Sequence, residues 1–239
     1  MSDRVADLSD ERYRELRGAV YTGDGARVMT ALASEVPEAI LQLAGDGLLI
    51  ALEQRVEGAA ELATAHSAAL RERRNEGDED LADQLDAALG TAPAPMLRPL
   101  PVDLEELSSA LEGDPMLTGG RLDLRTGEVM LESPMFDSSF DDEDDEREDP
   151  DRWLYIDSEG SRPGYDDMVA FLDTIEDGAT AERLGDRLHG RGAFRRFKDG
   201  LADIGELERF HRFADDRSRG RARAWLASHH YRPMLRARA

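Results

Sequence analysis

The sequence predicts an α+β fold that is mainly helical: N-terminal helical hairpins, then a small antiparallel three-stranded sheet with a C-terminal helical bundle. Three observations predict it. Apolar residues recur at helical spacing through residues 9–90 and again from Tyr165 to His230. Alternating apolar runs are confined to the stretch between, at RLDLRTGEVML and RWLYID. A segment with four prolines and no acid, GTAPAPMLRPLPV at 90–102, parts the first helices from the rest.

In residues 1–90 a stripe such as Tyr13, Leu16, Ala19 and Val20 follows the helical period. Gly-Asp-Gly occurs at 23–25 and at 45–47, with Glu76-Gly77-Asp78 as a looser third copy. In each, a glycine is expected to end one helix in the left-handed conformation while the aspartate caps the next. Pro37 suits the first turn of a further helix. The reading is a helical-hairpin domain over 1–90. Neither Gly-Asp-Gly has the extra carboxylates of a calcium loop or the Lys-Ser/Thr pair of a phosphate loop.

Residues 91–101 read as a proline-rich linker, stiff and extended. An α+β domain is expected over 102–232. It opens on VDLEELSSALEG, with Leu104, Leu107 and Leu111 on one helical face. A hairpin turns at Thr126-Gly127, and RWLYID supplies a third strand with Trp153 and Tyr155 on one face and Leu154 and Ile156 on the other. Between these strands, 134–151 reads as a disordered acidic insert, because eight of the nine residues 141–149 are acidic and repel one another. Helix breaks are expected at Gly178, Gly190, Gly205 and Ser218–Gly220, and 233–239 as a basic tail.

Charge is polarised. The chain carries a formal −22. Residues 1–100 contribute −9, residues 101–180 contribute −20, and residues 181–239 contribute +7. Nucleic acid would be drawn only to the last quarter. Of 30 basic residues only Lys198 is lysine, a usage that matches GC-rich coding. The chain has no cysteine, which excludes disulfides and thiolate chemistry. The polar N-terminus lacks a signal-peptide core, and no apolar run approaches the roughly 20 residues of a membrane span. The expectation is a bacterial, cytoplasmic protein.

The candidate functional segment is GRGAFRRFKDGL, 190–201. On a helix, Phe194, Phe197, Leu201 and Ile204 share a stripe about 80° wide and are expected in the core. Arg191, Arg195 and Lys198 share the flank of that stripe and form a candidate anion or partner surface. Arg196 points elsewhere and is assigned a structural pair with Asp199. Intramolecular pairing of the trio with Asp166, Asp167, Asp173 or the acidic insert is the competing reading. Phe210, Phe213 and Trp225 are assigned to packing rather than base stacking. The five histidines show no zinc spacing, and no nucleophile, Walker or dinucleotide motif occurs. No cofactor, metal or catalytic residue is assigned.

From 102 to 230 the order of pieces resembles the bacterial uncharacterised protein family 0158. VDLEELSSALE, RLDLRTGEVML, RWLYIDS, YDDMVAFLDTIED, GRGAFRRFKDGL and FHRFADDRSRGRARAWL carry the resemblance. Phe210 stands where that family tends to have tryptophan and Ser218 where it tends to have tyrosine, and residues 1–95 lie outside. The resemblance implies relatedness and no activity. The functional expectation is a non-catalytic binding or regulatory protein with a protein partner. The alternatives are a nucleic-acid-binding regulator using the arginines of 191–198 and 217–238, and, third, a metal-dependent hydrolase.

Overall fold

The computed structural model describes residues 9–33, 37–113, 119–132 and 149–234. The expected α+β, mainly helical architecture is what it shows. Helices α1 (Asp10–Thr22), α2 (Gly25–Leu32), α3 (Leu41–Glu53), α4 (Ala59–Arg73) and α5 (Asp78–Leu89) form the N-terminal part. They enclose one apolar core that includes Leu16, Val28, Leu41, Leu48, Leu70 and Leu81. A 3-10 turn, Glu38–Ile40, follows Pro37 and leads into α3.

The first Gly-Asp-Gly does what its residues suggest. Gly23 closes α1 at φ 66°, and the Asp24 side chain accepts from the Arg27 N–H to start α2. The second does not. Gly45, Asp46 and Gly47 lie inside α3 and are buried. Close packing explains the glycines there: a Cβ on Gly45 would sit 2.6 Å from a Leu81 methyl, and one on Gly47 2.7 Å from a Val28 methyl. In the third copy, Gly77 at φ 75° precedes α5, and Asp78 turns back to accept from the Asn75 N–H.

The proline-rich segment contains a strand, β1 (Arg98–Leu100), which pairs in parallel with β5 (Tyr231–Pro233). Helix α6 (Leu104–Leu111) follows, capped by the Asp103 side chain. Strands β2 (Gly119–Asp123), β3 (Val129–Glu132) and β4 (Trp153–Ile156) make the antiparallel sheet in the order β3-β2-β4. Gly127, at φ 79°, turns the hairpin beneath the Pro101 carbonyl, where a side chain has no room. Tyr155 opposes Arg121 on the outer face, while Leu154 opposes Leu122 on the inner one. Of the acidic insert, 134–148 lies outside the described residues. Asp149 belongs to a turn into β4, accepting from the backbone N–H groups of Arg152 and Trp153 and pairing with Arg125 at 3.6 Å. The basic tail beyond Met234 is likewise outside the described residues.

After β4 come α7 (Arg162–Leu172), α8 (Gly178–Asp186), α9 (Ala193–Asp203) and α10 (Leu207–Ser228), with β5 following α10. The expected break at Ser218–Gly220 is absent, and α10 runs unbroken for 22 residues. Gly220 serves close approach instead. The backbones of Glu76–Gly77 and Gly220 cross so tightly that a Cβ on either glycine would collide with the backbone of the other segment. Helix α10 packs on α3, α5, α6, α7, α9 and β5, so it joins the N-terminal helices to the sheet and to the α7–α9 cluster.

This geometry predicts that Gly220→Ala destabilises the protein by about 1–3 kcal/mol through overpacking. Gly178→Ala, where a Cβ meets nothing within 4 Å, should be neutral or stabilising by up to about 1 kcal/mol. Urea unfolding of both variants checks it; equal effects would contradict the backbone crossing.

Candidate functional site

Six charged residues of α10 sort into two faces. Arg212, Asp216, Arg219 and Arg223 recur at helical spacing and face the N-terminal helices. Arg223, 1% exposed, forms an ion pair with Asp46 and donates from Nε to the Gln42 side-chain oxygen at 2.8 Å. Gln42 donates its side-chain amide to Asp78 at 2.9 Å and its backbone N–H to Asp216 at 2.7 Å. Arg73 closes the chain of contacts, reaching Asp78 at 2.7 Å and Asp216 at 2.6 Å. Arg219 bridges Asp46 at 3.1 Å and Glu105 at 2.8 Å. Burial works against the Arg219 charge, but Asp46 and Glu105 outweigh it and hold its pKa above the ordinary value. Burial pushes the Asp216 carboxyl up to about 6, against the pull of Arg73. On the opposite face, Asp167 takes Arg217 at 2.6 Å and Arg221 at 2.8 Å, and Arg221 also pairs with Glu112.

Sequence reading missed this seam. Its signal was present as charged residues at i, i+4, i+7 and i+11 in α10, opposite an aspartate set between two glycines. The arginine count disguised it as a basic surface.

Helix α9 carries the sequence-predicted residues. Arg191, Arg195 and Lys198 are all exposed, but only Arg195 and Lys198 lie on α9. Arg191 precedes it in the turn, beyond Gly192 at φ 77°, so the helical spacing expected to place it beside the other two does not extend to it. Arg195 pairs with Asp199 at 3.8 Å. The expected Arg196–Asp199 pair is therefore not formed. Arg196 reaches back instead, donating to the carbonyls of Arg187, His189 and Arg191 and tying down the turn between α8 and α9. Its five donors suit a cluster of carbonyls better than one exposed carboxylate does. Phe197 and Leu201 are 0% exposed and Phe210 is buried, with Phe197 and Phe210 packed edge to face at 5.4 Å. Phe213 and Trp225 are partly buried against the cores on either side of α10. Phe194 departs from expectation at 38% exposed, as does Ile204 at 42%. The stripe is wider than the core available to it, and Phe194 lies at its edge over Gly164.

A cleft of about 260 Å³ opens between α1, α6 and α10, lined by Tyr13, Arg17, Glu105, Asp215 and Arg219 among others. Arg17 on α1 pairs with Glu105 on α6 at 2.8 Å across its edge. Among the described residues, no group of three or more His, Cys, Asp or Glu is placed to hold a metal ion, and no helix is long and apolar enough to cross a membrane.

Phe197→Ala should cost about 3–5 kcal/mol through a core cavity. Phe194→Ala should cost far less, because more than a third of its surface already meets solvent. Chemical denaturation of the two variants side by side distinguishes them; equal losses would place Phe194 in the core.

Comparison with known proteins returned no match among curated proteins and none among solved structures. A family model does match, over residues 98–238, which spans β1 to the C-terminal residues and includes α9 and α10. That is more than half of the chain, and the match leaves α1–α5 outside. The chain belongs to the Uncharacterised protein family (UPF0158).

Proposed function

We propose that the chain is a non-catalytic binding or regulatory protein of the bacterial cytoplasm that engages an acidic protein partner through α9. The supporting observation is the exposed trio Arg191, Arg195 and Lys198 beside the half-open ring of Phe194, on a chain of formal charge −22. Among the described residues only Arg195 of the three has an ion pair, a solvent-exposed contact with Asp199. Two carboxylates named for intramolecular pairing are engaged elsewhere: Asp166 with Arg162 at 3.8 Å, and Asp167 with Arg217 and Arg221. A cationic patch with an aromatic at its margin suits an acidic segment carrying an apolar side chain.

The nucleic-acid reading uses the arginines of 191–198 and of 217–238, those of α10 among them. Arg217, Arg219, Arg221 and Arg223 are held by Asp167, Glu112, Asp46 and Glu105, which leaves a much smaller basic footprint. That favours a protein partner over a polyanion tracked along its length.

Replacing Arg191, Arg195 and Lys198 together with alanine should leave stability within about 0.5 kcal/mol, since exposed pairs contribute little. Capture of partners from a nuclease-treated lysate by wild type and triple variant, at rising salt, tests the reading. Loss of a protein partner only in the variant supports it. Capture that vanishes with nuclease would transfer the surface to nucleic acid, and unchanged capture would remove α9 from the function.

A further inference from the structure

The cleft between α1, α6 and α10 has a chemistry of its own, independent of the α9 surface. Its charged lining groups are almost all committed. Arg17 pairs with Glu105, Arg219 with Asp46 and Glu105, Arg212 with Asp10, Glu112 with Arg221, and Asp216 with Arg73. Asp215 is the exception: among the described residues its carboxylate has no ion pair and no hydrogen bond. Its side chain is solvent-exposed at the mouth of the cleft. The surrounding walls nevertheless desolvate it, and this burial, opposed by Arg17, raises its carboxyl above the ordinary value. Arg17 and Arg219 act on it only from a distance, so among the described residues Asp215 is the charged lining group without a direct partner.

The neutral polar groups point to the same ligand. Ser108 and Ser109 donate their hydroxyl protons to the Glu105 carbonyl at 3.0 and 2.8 Å, and Ser218 donates to the Asp215 carbonyl at 3.1 Å. Each hydroxyl has one proton. Having spent it on backbone, these three oxygens offer only lone pairs to a molecule in the cleft. Tyr13 is the counterpart. Its hydroxyl, pushed up to about 12 by burial, stays protonated and has no hydrogen-bond partner among the described residues. Ile40 and Leu43 supply an aliphatic wall.

We propose that this cleft binds a primary aliphatic ammonium group, with Asp215 taking its charge and the serine oxygens accepting its remaining N–H bonds. The methylene chain lies along Ile40 and Leu43, and Tyr13 donates to an acceptor further along the ligand. A free diamine and the lysine side chain of a peptide both present this chemistry, and the volume of about 260 Å³ accommodates either one.

Calorimetric titration of the full chain at low salt tests the proposal, using 1,5-diaminopentane, a lysine blocked at both backbone ends, and 1-pentanol as the uncharged control. At least one amine should bind saturably and pentanol should not. Asp215→Asn should weaken that binding by at least about tenfold, and Tyr13→Phe should weaken it less. Because the Asp215 carboxylate holds no other group, the Asn variant should melt with the wild type, so lost affinity is not lost folding. Binding of blocked lysine alone assigns the site to a protein's lysine; binding of the diamine alone assigns it to a free amine. Absence of saturation by either amine below about 10 mM, equal binding of pentanol, or undiminished affinity in Asp215→Asn would each overturn the proposal.

Discussion

The structure turns on the ion pair between Arg223 and Asp46, sealed from water on both sides. Neither charge is tolerable alone in such a place, since desolvation of an unpaired ion costs several kcal/mol. Each therefore dictates its surroundings. Asp46 needs α10 to come close, and the glycines on either side of it let α3 sit tightly between α2 and α5. Arg223 needs both Asp46 and the Gln42 oxygen, which fixes the rotation of α10 about its own axis. The crossing of Gly77 and Gly220 holds α10 at the separation that these contacts require.

The seam also bears on how the family relates to this chain. The matched region begins at residue 98 and contains Arg212, Asp216, Arg219 and Arg223. Their partners Asp10, Gln42, Asp46 and Arg73 precede it, while Glu105, the second partner of Arg219, lies within it. On this account the N-terminal helices complete the ionic complement of α10, and the proline-rich segment between them connects two parts of one packed unit. Pairing of Arg98–Leu100 with Tyr231–Pro233 ties the start of the matched region to its end.

Local signals were legible where one residue settles the backbone by itself. Gly23 and Asp24 ending and starting helices, Gly127 in the hairpin, and the alternation of Leu154 and Ile156 with Trp153 and Tyr155 all belong to this class. What failed depended on a neighbour distant in sequence. Gly45-Asp46-Gly47 has the composition of a turn, and only Arg219 and Arg223, more than 170 residues away, make it a helix interior. Ser218–Gly220 looks like a break until Glu76 is placed against it. Phe194 carries the right helical angle for the core, but the core ends before reaching it. Of the site, Arg195 and Lys198 were readable from one helix, Arg191 was not because Gly192 breaks the helix before it, and the cleft and Asp215 required three elements to be assembled.

A double-mutant cycle on Asp46 and Arg223, followed by urea unfolding, measures the central claim most directly. Asp46→Leu leaves Arg223 without its counter-ion, Arg223→Met leaves Asp46 short of one, and each should cost about 3–5 kcal/mol. The double variant should be much less destabilised than the sum of the two, with a coupling of at least about 1–3 kcal/mol. Additive losses would show that the two charges do not depend on each other, and that α10 is held against the N-terminal helices by other means.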